Sequence, residues 1–143
     1  MSDRSQDTAK NIAELKAGEL NESVAAYLGM KLEEISPGYA RVTMRLRPEY
    51  RNFNGYVFGG VIMSVADQAF AYASNSLSYP SLASQFNIHF IAGVESGDTI
   101  TAECRVLKSG RRVGVSEITV TDGTGKLIAR ATGTTIPVVP KTA

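Results

Sequence analysis

The chain has 143 residues, of which 43% are hydrophobic and 20% charged, with a net charge of +1; this is enough apolar material for one folded domain and excludes a disordered chain. The balanced charge excludes a broad attraction to nucleic acid or anionic lipid, and the single cysteine, Cys104, excludes an intrachain disulfide and metal sites built on cysteine clusters. The apolar run 61–70 is too short to cross a membrane, and the polar N-terminus does not resemble a secretion signal. We therefore expect a cytoplasmic protein with neither nucleic acid nor membrane as its partner.

The first 20 residues are polar, with a weak helical pattern at Ile12, Leu15 and Leu20. This pattern predicts an N-terminal arm or loose helix at 1–20, ahead of a single domain at 21–139. The segment "NESVAAYLG" then predicts a short helix in which Asn21 is the N-cap and Gly29 ends the helix.

Residues 30–48 alternate between apolar and polar positions, which predicts a β-hairpin. The sequence "SPG" at 36–38 predicts the turn between its two strands. The positions that share one face are Met30, Leu32 and Glu34 in the first strand and Ala40, Val42, Met44 and Leu46 in the second.

The segment 61–77 is predicted to be a long helix because its apolar residues recur at spacings of three and four. These residues are Val61, Ile62, Val65, Ala66, Ala69, Phe70 and Ala73. The helix is apolar around most of its circumference, so we expect it to be buried on several sides. Four strands follow it, at 82–92, at 97–110 and in a hairpin over 111–138 that turns at 122–125.

The order of these elements is a short helix, two strands, a long buried helix and four strands, which is an α+β arrangement. A single antiparallel sheet must curl around such a helix to cover its apolar surface. A second copy of the chain would then close the side that the sheet leaves open, so the pattern predicts a dimer.

The loop before the long helix carries the residues with the clearest chemical meaning. Gly59 and Gly60 leave the first backbone N–H groups of the helix unobstructed, and such groups stabilise an oxyanion or a polarised carbonyl. Asn52 and Asn54 lie just upstream and could add a side-chain donor. Alternatively, the paired glycines form only a tight turn.

Asp67 is the one carboxylate in the long helix. On a helical wheel it shares a face with Gly60, Met63, Ser64, Phe70 and Ala71. Partial loss of solvent there would raise its basicity, as a general base or a nucleophile requires; the alternative is a position at the solvent edge without a chemical role. Asp67 is two turns, roughly 10 Å, from Gly60. The two groups can therefore act on one carbonyl only if they come from different copies of the chain.

The run Asn52, Gly55, Phe58-Gly59-Gly60 and Ala66-Asp67, followed by "AFAYASNS", resembles the PaaI-like acyl-CoA thioesterases of the hotdog superfamily. The resemblance covers roughly residues 20–137 and implies a hotdog fold, in which a curved antiparallel sheet wraps a long central helix. It also implies a homo-oligomer, at least a dimer and more specifically a dimer of dimers, that hydrolyses acyl-CoA.

The same resemblance implies roles for individual residues. Asp67 matches the catalytic nucleophile or general base, the Gly59 amide matches the oxyanion donor, and Asn52 matches the residue that positions water or substrate. A serine or threonine on the third strand assists in some members; Ser84 is the nearest candidate here, with Gln85 as the competitor. The expected substrate contacts are Phe58, Gly60, Ser64 and Ser84, with Lys108, Arg111 and Arg112 for the CoA phosphates.

An apolar, partly aromatic acyl pocket is expected from Phe53, Tyr56, Phe58, Met63 and Phe70. Such a pocket fits a medium-chain or aryl-acyl group. No metal and no cofactor are expected, since coenzyme A is part of the substrate.

Phe58 stands where the family usually has histidine, and the only histidine of the chain is His89, on a predicted strand. Asp67 and Gly59 remain, so hydrolysis is the expected activity. Two alternatives stay open: a protein that binds acyl-CoA without turnover, and a hotdog dehydratase or hydratase. The second is disfavoured because those enzymes pair a histidine with a carboxylate, and neither the loop nor the central helix contains a histidine.

Overall fold

The structure is a computed structural model that describes residues 2–19 and 21–140. Its helices are α1 (Ser2–Glu19), α2 (Ser23–Leu28) and α3 (Gly59–Leu77), with a 3-10 turn at Pro48–Tyr50. Its strands are β1 (Met30–Ser36), β2 (Tyr39–Arg45), β3 (Ser81–Phe90), β4 (Thr99–Ser109), β5 (Gly114–Thr121) and β6 (Leu127–Pro137). The predicted order of helices and strands is confirmed, and α3 begins two residues earlier than expected.

The N-terminal segment forms α1, which packs against the core through Ile12 and Leu15. Leu20, the third residue of the predicted apolar pattern, lies outside the described residues. The prediction that Asn21 caps α2 is wrong: Glu22 is the N-cap residue, and its side chain makes no capping hydrogen bond. Gly29 ends α2 as predicted, with a φ of 75° that favours glycine.

The first hairpin pairs β1 with β2 around a turn at Pro37 and Gly38. The predicted buried face of the second strand is confirmed, since Ala40, Val42 and Met44 of β2 are buried, as is Leu46 just after its end. The predicted face of β1 is wrong in its second half, because a β-bulge between Leu32 and Glu34 shifts the register. Ile35 is therefore buried and Glu34 is exposed.

The six strands form one antiparallel sheet in the order β1-β2-β4-β5-β6-β3. Within the described chain, β3 pairs only with β6, so its other side is a free sheet edge. The apolar side chains Leu82 and Phe90 are both more than half exposed on β3. An open edge of this kind is suited to contact with a second chain.

The central helix α3 contributes its buried side to a core that includes Val65, Ala66, Ala69, Phe70 and Ala73. The expectation of burial on several sides holds for most of the circumference but not for all of it. Met63, Asp67 and Ala71 form an exposed stripe along α3. None of the helices within residues 2–19 and 21–140 is long and apolar enough to cross a bilayer.

Candidate active site

The loop before α3 is fixed by its own backbone. Asn52 N–H donates to Tyr56 O at 2.7 Å, and Phe58 N–H donates to Tyr50 O at 2.7 Å. Between them the chain turns at Gly55, whose φ of 81° disfavours any residue with a side chain. The loop therefore delivers the start of α3 in a defined position.

The Asn52 side chain organises this loop from inside. Its Oδ1 accepts hydrogen bonds from Asn54 N–H at 2.9 Å and from Tyr56 N–H at 3.2 Å, as asparagine does in turns. In the described part of the chain no acceptor lies within hydrogen-bond distance of its Nδ2 group. Asn52 thus retains one free donor next to the start of α3.

The first turn of α3 exposes unpaired backbone donors. Phe58 is the N-cap residue and its side chain makes no capping bond, while Val61 N–H turns back to Phe58 O at 3.0 Å. Among the described residues, the N–H groups of Gly59 and Gly60 have no acceptor. These are the two donors that the paired glycines predicted, and they carry the positive end of the helix dipole.

Two aromatic rings flank these glycines. A Cβ added at Gly59 would lie 3.1 Å from Cζ of Phe90, and one added at Gly60 would lie 2.5 Å from Cε1 of Phe58. Neither ring could approach the helix backbone this closely if a side chain stood at the glycine. The glycines therefore provide space for aromatic rings as well as bare N–H groups.

Asp67 lies two turns further along α3, on its exposed stripe. Although its side chain is exposed in the single chain, the protein atoms beside it remove part of its solvent, which raises the pKa of the Asp67 carboxyl above its usual 3.8. Ser64, on the same side of the helix, donates its hydroxyl to Gly60 O at 2.7 Å. That bond leaves the Ser64 oxygen as an acceptor only.

One chain does not bring the carboxylate and the amide donors together. Eight residues of helix separate Gly59 from Asp67, a rise of about 12 Å along the axis. This agrees with the spacing argument from the sequence, which required groups from two copies.

The basic residues expected to bind phosphate lie at the other end of α3. Lys108 lines a small cavity with Ser74 and Ser78, near the C-terminus of α3, and Arg111 lines an adjacent cleft with Ser78. Arg112 follows on the same exposed connection between β4 and β5. Within one chain these cations are about 28 Å from Gly59 along the helix axis.

Ser84 lies at a β-bulge between Ala83 and Gln85 in β3. Its hydroxyl is 2.8 Å from Oγ1 of Thr134 and 3.3 Å from the carbonyl oxygen of the same residue. The Ser84 hydroxyl therefore contacts the neighbouring strand β6 and not the start of α3.

Phe70 and His89 both lie away from the loop. Phe70 is buried in the core, 1% exposed, and its ring packs against Phe86 and against Gly133; its placement beside Asp67 and in the acyl pocket is therefore wrong. His89 lines a surface cleft with Glu117 and Arg130 on the sheet. It does not line the cleft beside Gly59.

An apolar cleft beside Gly59 contains residues that the sequence did not indicate. Its volume is about 290 Å³, and its lining is Tyr56, Val57, Gly59, Ile62, Phe90, Ile91, Ala92, Gly93 and Val94. The segment 90–94 was expected only to end a strand. The apolar run "FIA" that leaves β3 was the available signal, but only the fold places it against the helix start.

A family model and a curated relative both match this chain to thioesterases. The model of the thioesterase superfamily matches residues 54–129. The acyl-coenzyme A thioesterase PaaI of Escherichia coli is 35% identical over 109 residues, which are 76% of this chain and 78% of the relative.

Solved structures extend the similarity to the fold. The E. coli PaaI protein from the phenylacetic acid degradation operon superposes with a TM-score of 0.87 at 30% identity, covering 98% of this chain and 99% of that one. The smu.793 protein of Streptococcus mutans, bound to acetyl CoA, superposes with a TM-score of 0.74 at 25% identity, covering 79% and 91%. The six-stranded sheet around α3 is thus the hotdog fold, and this chain belongs to the thioesterase superfamily, in its PaaI-like group, as a thioester hydrolase.

Proposed function

We propose that the protein hydrolyses acyl-CoA thioesters that carry an uncharged medium-chain or aryl-acyl group. The observation that carries this proposal is the start of α3, where the N–H groups of Gly59 and Gly60 have no acceptor among the described residues and Gly59 lines an apolar cleft. Donors of this kind stabilise the negative charge that develops on a thioester oxygen. The names of the relatives, PaaI thioesterase and an acetyl-CoA-bound protein, support CoA as the thiol.

The complete site is formed by two copies of the chain. In a two-fold dimer that sets Asp67 of one protomer against Gly59 of the other, the two α3 helices cross at the residue midway between them, Met63. Met63 is 37% exposed and apolar, on the stripe that the sheet leaves uncovered. The free edge of β3 offers further surface for this contact. We propose a dimer, and a dimer of dimers as the assembled form.

Hydrolysis then follows from the roles of three groups. The Gly59 amide holds the thioester oxygen while its carbonyl carbon is attacked, either by the Asp67 carboxylate or by a water that Asp67 deprotonates. The free Nδ2 donor of Asn52 lies beside the helix start and is suited to holding the attacking water or the substrate. The C–S bond breaks, the thiol leaves with a proton, and water supplies the hydroxyl of the released acid.

Lys108, Arg111 and Arg112 are proposed to bind the CoA phosphates, close to the end of α3 that lies beyond Asp67. The rise from Asp67 to Ser78 is about 16 Å, which the pantetheine arm between sulfur and phosphate would bridge. Gly60, Ser64 and Ser84 remain predicted substrate contacts.

Phe58 favours one competing function, the binding of acyl-CoA without turnover. Its ring lies on Gly60 and has neither a proton to donate nor an acceptor, unlike the histidine usual in the family. Measuring thiol release from acyl-CoA separates the two functions, because only hydrolysis releases free thiol.

The test mixes two variants that should each be inactive. Asp67→Asn removes the base or nucleophile, with an expected loss of about 10²- to 10⁴-fold. Gly59→Pro removes the proposed oxyanion donor and also displaces the Phe90 ring, with a loss of at least about 10²- to 10³-fold, and proline is tolerated at the first position of a helix. After co-refolding, half of the dimers are mixed and one of their two sites is intact. We therefore expect about a quarter of the wild-type rate to return.

The rate of thiol release from acyl-CoA is measured with a thiol-trapping dye. Circular dichroism of each variant controls for folding. A site contained within one chain would give no recovery on mixing. Binding of acyl-CoA by the wild type without any thiol release would reject hydrolysis and leave the binding function.

A further inference from the structure

Phe90 lies beside the proposed reaction centre at Gly59. It is the last residue of β3, it lines the apolar cleft together with Gly59, and its Cζ lies 3.1 Å from the position that a Cβ at Gly59 would take. Half of the side chain, 52%, remains exposed. A carbonyl oxygen held by the Gly59 amide would therefore bring its substituent directly past the Phe90 ring.

The wall that Phe90 belongs to is held in place by backbone hydrogen bonds. Ile91 N–H and Ala92 N–H both donate to Ile128 O, at 2.8 and 3.2 Å. Phe90 itself pairs with Ala129 across β3 and β6. The ring is thus attached to a fixed sheet end and not to a loose loop.

The chemistry of the cleft indicates which part of the substrate enters it. A thioester carbonyl has an acyl substituent on one side and sulfur with its pantetheine arm on the other. None of the residues that line the cleft is charged, and Tyr56 carries its only polar side chain. The pantetheine amides need hydrogen-bond partners, whereas a hydrocarbon or aryl group needs only apolar contact.

We propose that Phe90 is the residue that determines acyl-group specificity, by closing the cleft beside Gly59 so that an uncharged acyl group of limited length packs against its ring. This inference rests on the proposed hydrolysis at Gly59 and Asp67. A cleft volume of about 290 Å³ is at the small end of ligand sites. Removing the ring extends the cleft and takes away the surface against which a short or aryl group packs.

The test compares kcat/KM for hexanoyl-, phenylacetyl-, decanoyl- and succinyl-CoA in the wild type, Phe90→Ala, Phe90→Leu and Phe90→Trp. For Phe90→Ala we expect the ratio of decanoyl to phenylacetyl activity to rise about tenfold, the size of a lost apolar contact in a pocket, mainly through KM for phenylacetyl-CoA. Phe90→Trp should shift the ratio the opposite way, and Phe90→Leu should lie between the wild type and Phe90→Ala. Leu107→Ala, an exposed apolar residue on β4 outside the cleft, is the control and should leave the profile unchanged.

Two results would overturn the specificity role. One is a set of Phe90 variants whose activities change by the same factor on every substrate. The other is a wild type that prefers succinyl-CoA, since a charged acyl group does not fit an uncharged cleft. If Phe90→Ala does not fold, the Leu and Trp variants carry the comparison. A wild type that releases no thiol from any substrate is a failure of the proposed function itself, which this panel separates from a failure of the role of Phe90.

Discussion

The two halves of α3 differ in the pairing of the polar groups that matter most to the protein. In the second half, Asn75 and Ser76 are buried, and each makes several hydrogen bonds. In the first half, the N–H groups of Gly59 and Gly60 have no partner among the described residues, and Asp67 has a raised pKa. The same helix is therefore a satisfied structural element at one end and a set of available groups at the other.

This difference distinguishes polar groups that stabilise the fold from polar groups that are available to a substrate. The Asn75 side chain pairs with both backbone groups of Ser81. Its Oδ1 accepts a hydrogen bond from Ser81 N–H at 2.7 Å, and its Nδ2 donates one to Ser81 O at 3.2 Å. Ser74 is the exception in the second half, since its buried hydroxyl has no partner in the part of the chain that the structure describes. Buried polar groups normally have partners, so the unpaired groups of the first half are the ones to expect in chemistry.

The largest expected effect on stability comes from breaking the satisfied half with Asn75→Ala. The backbone N–H and O of Ser81 would lose their partner in a buried position, and each such loss costs about 1–3 kcal/mol. We expect the free energy of unfolding to fall by about 3 kcal/mol in a urea titration. The kcat for thiol release at a permissive temperature should change little, because none of the hydrogen bonds of the Asn75 side chain involves Gly59 or Asp67.

Asn21→Ala, on the exposed turn before α2, is the matched control and should change stability by less than about 0.5 kcal/mol. If Asn75→Ala and Asn21→Ala had the same free energy of unfolding, the buried hydrogen bonds of Asn75 would make no net contribution to stability.

A pair of glycine substitutions tests the same contrast through packing. A Cβ at Gly133 would lie 2.6 Å from Cζ of Phe70, and a Cβ at Gly60 would lie 2.5 Å from Cε1 of Phe58. The overlaps are nearly equal, but Phe70 is 1% exposed and Phe58 is 56% exposed. Gly133→Ala should therefore cost about 2 kcal/mol, since a packed core cannot move away from the added methyl group.

Gly60→Ala should cost little or even stabilise, because the Phe58 ring can rotate into solvent and alanine favours a helix over glycine by up to about 1 kcal/mol. The midpoints of thermal unfolding of Gly133→Ala and Gly60→Ala, measured under identical conditions, test this difference in stability. Equal losses in both variants would mean that the Phe58 ring is as fixed as the core.

The sequence was sufficient for elements whose periodicity is set locally. The phase of β2 and the end of α3 at residue 77 follow from side-chain spacing, and both agree with the structure. The start of α3 lies two residues before the predicted one, because the paired glycines carry no apolar side chain that would extend the pattern. The bulge in β1 cannot be predicted from side-chain spacing, because it depends on how that strand pairs with β2, and no residue near Leu32 signals it. A single extra residue then moves Ile35 to the core face.

The candidate site shows the same limit. The glycines and Asp67 could be found because their spacing along one helix is a local property. Phe90 was missed because its contact with Gly59 joins residues 31 positions apart. Phe70 was misplaced because a helical wheel leaves it close to the face of Asp67, and only packing against Gly133 decides which way the ring points.

The smallest expected effect is a gain in stability from Asp67→Asn, which sharpens the contrast between function and folding. The pKa of Asp67 is raised in the folded chain by loss of solvent, so the ionised carboxyl is less stable there than in the unfolded chain. Below the unfolded value of 3.8 both states are protonated and nothing is lost. As the pH rises through the folded pKa, the folded state loses stability by the full difference.

Because asparagine does not ionise, Asp67→Asn should have a higher Tm than the wild type at neutral pH, and the difference should shrink on acidification. Scanning calorimetry between about pH 4 and 8 at constant ionic strength measures it. Asp122→Asn should show the opposite sign, since hydrogen bonds from Thr124 lower the pKa of the Asp122 carboxyl, so that its charge stabilises the fold above the unfolded pKa. A Tm difference for Asp67→Asn that does not vary with pH would mean that partial loss of solvent is not what distinguishes this carboxylate.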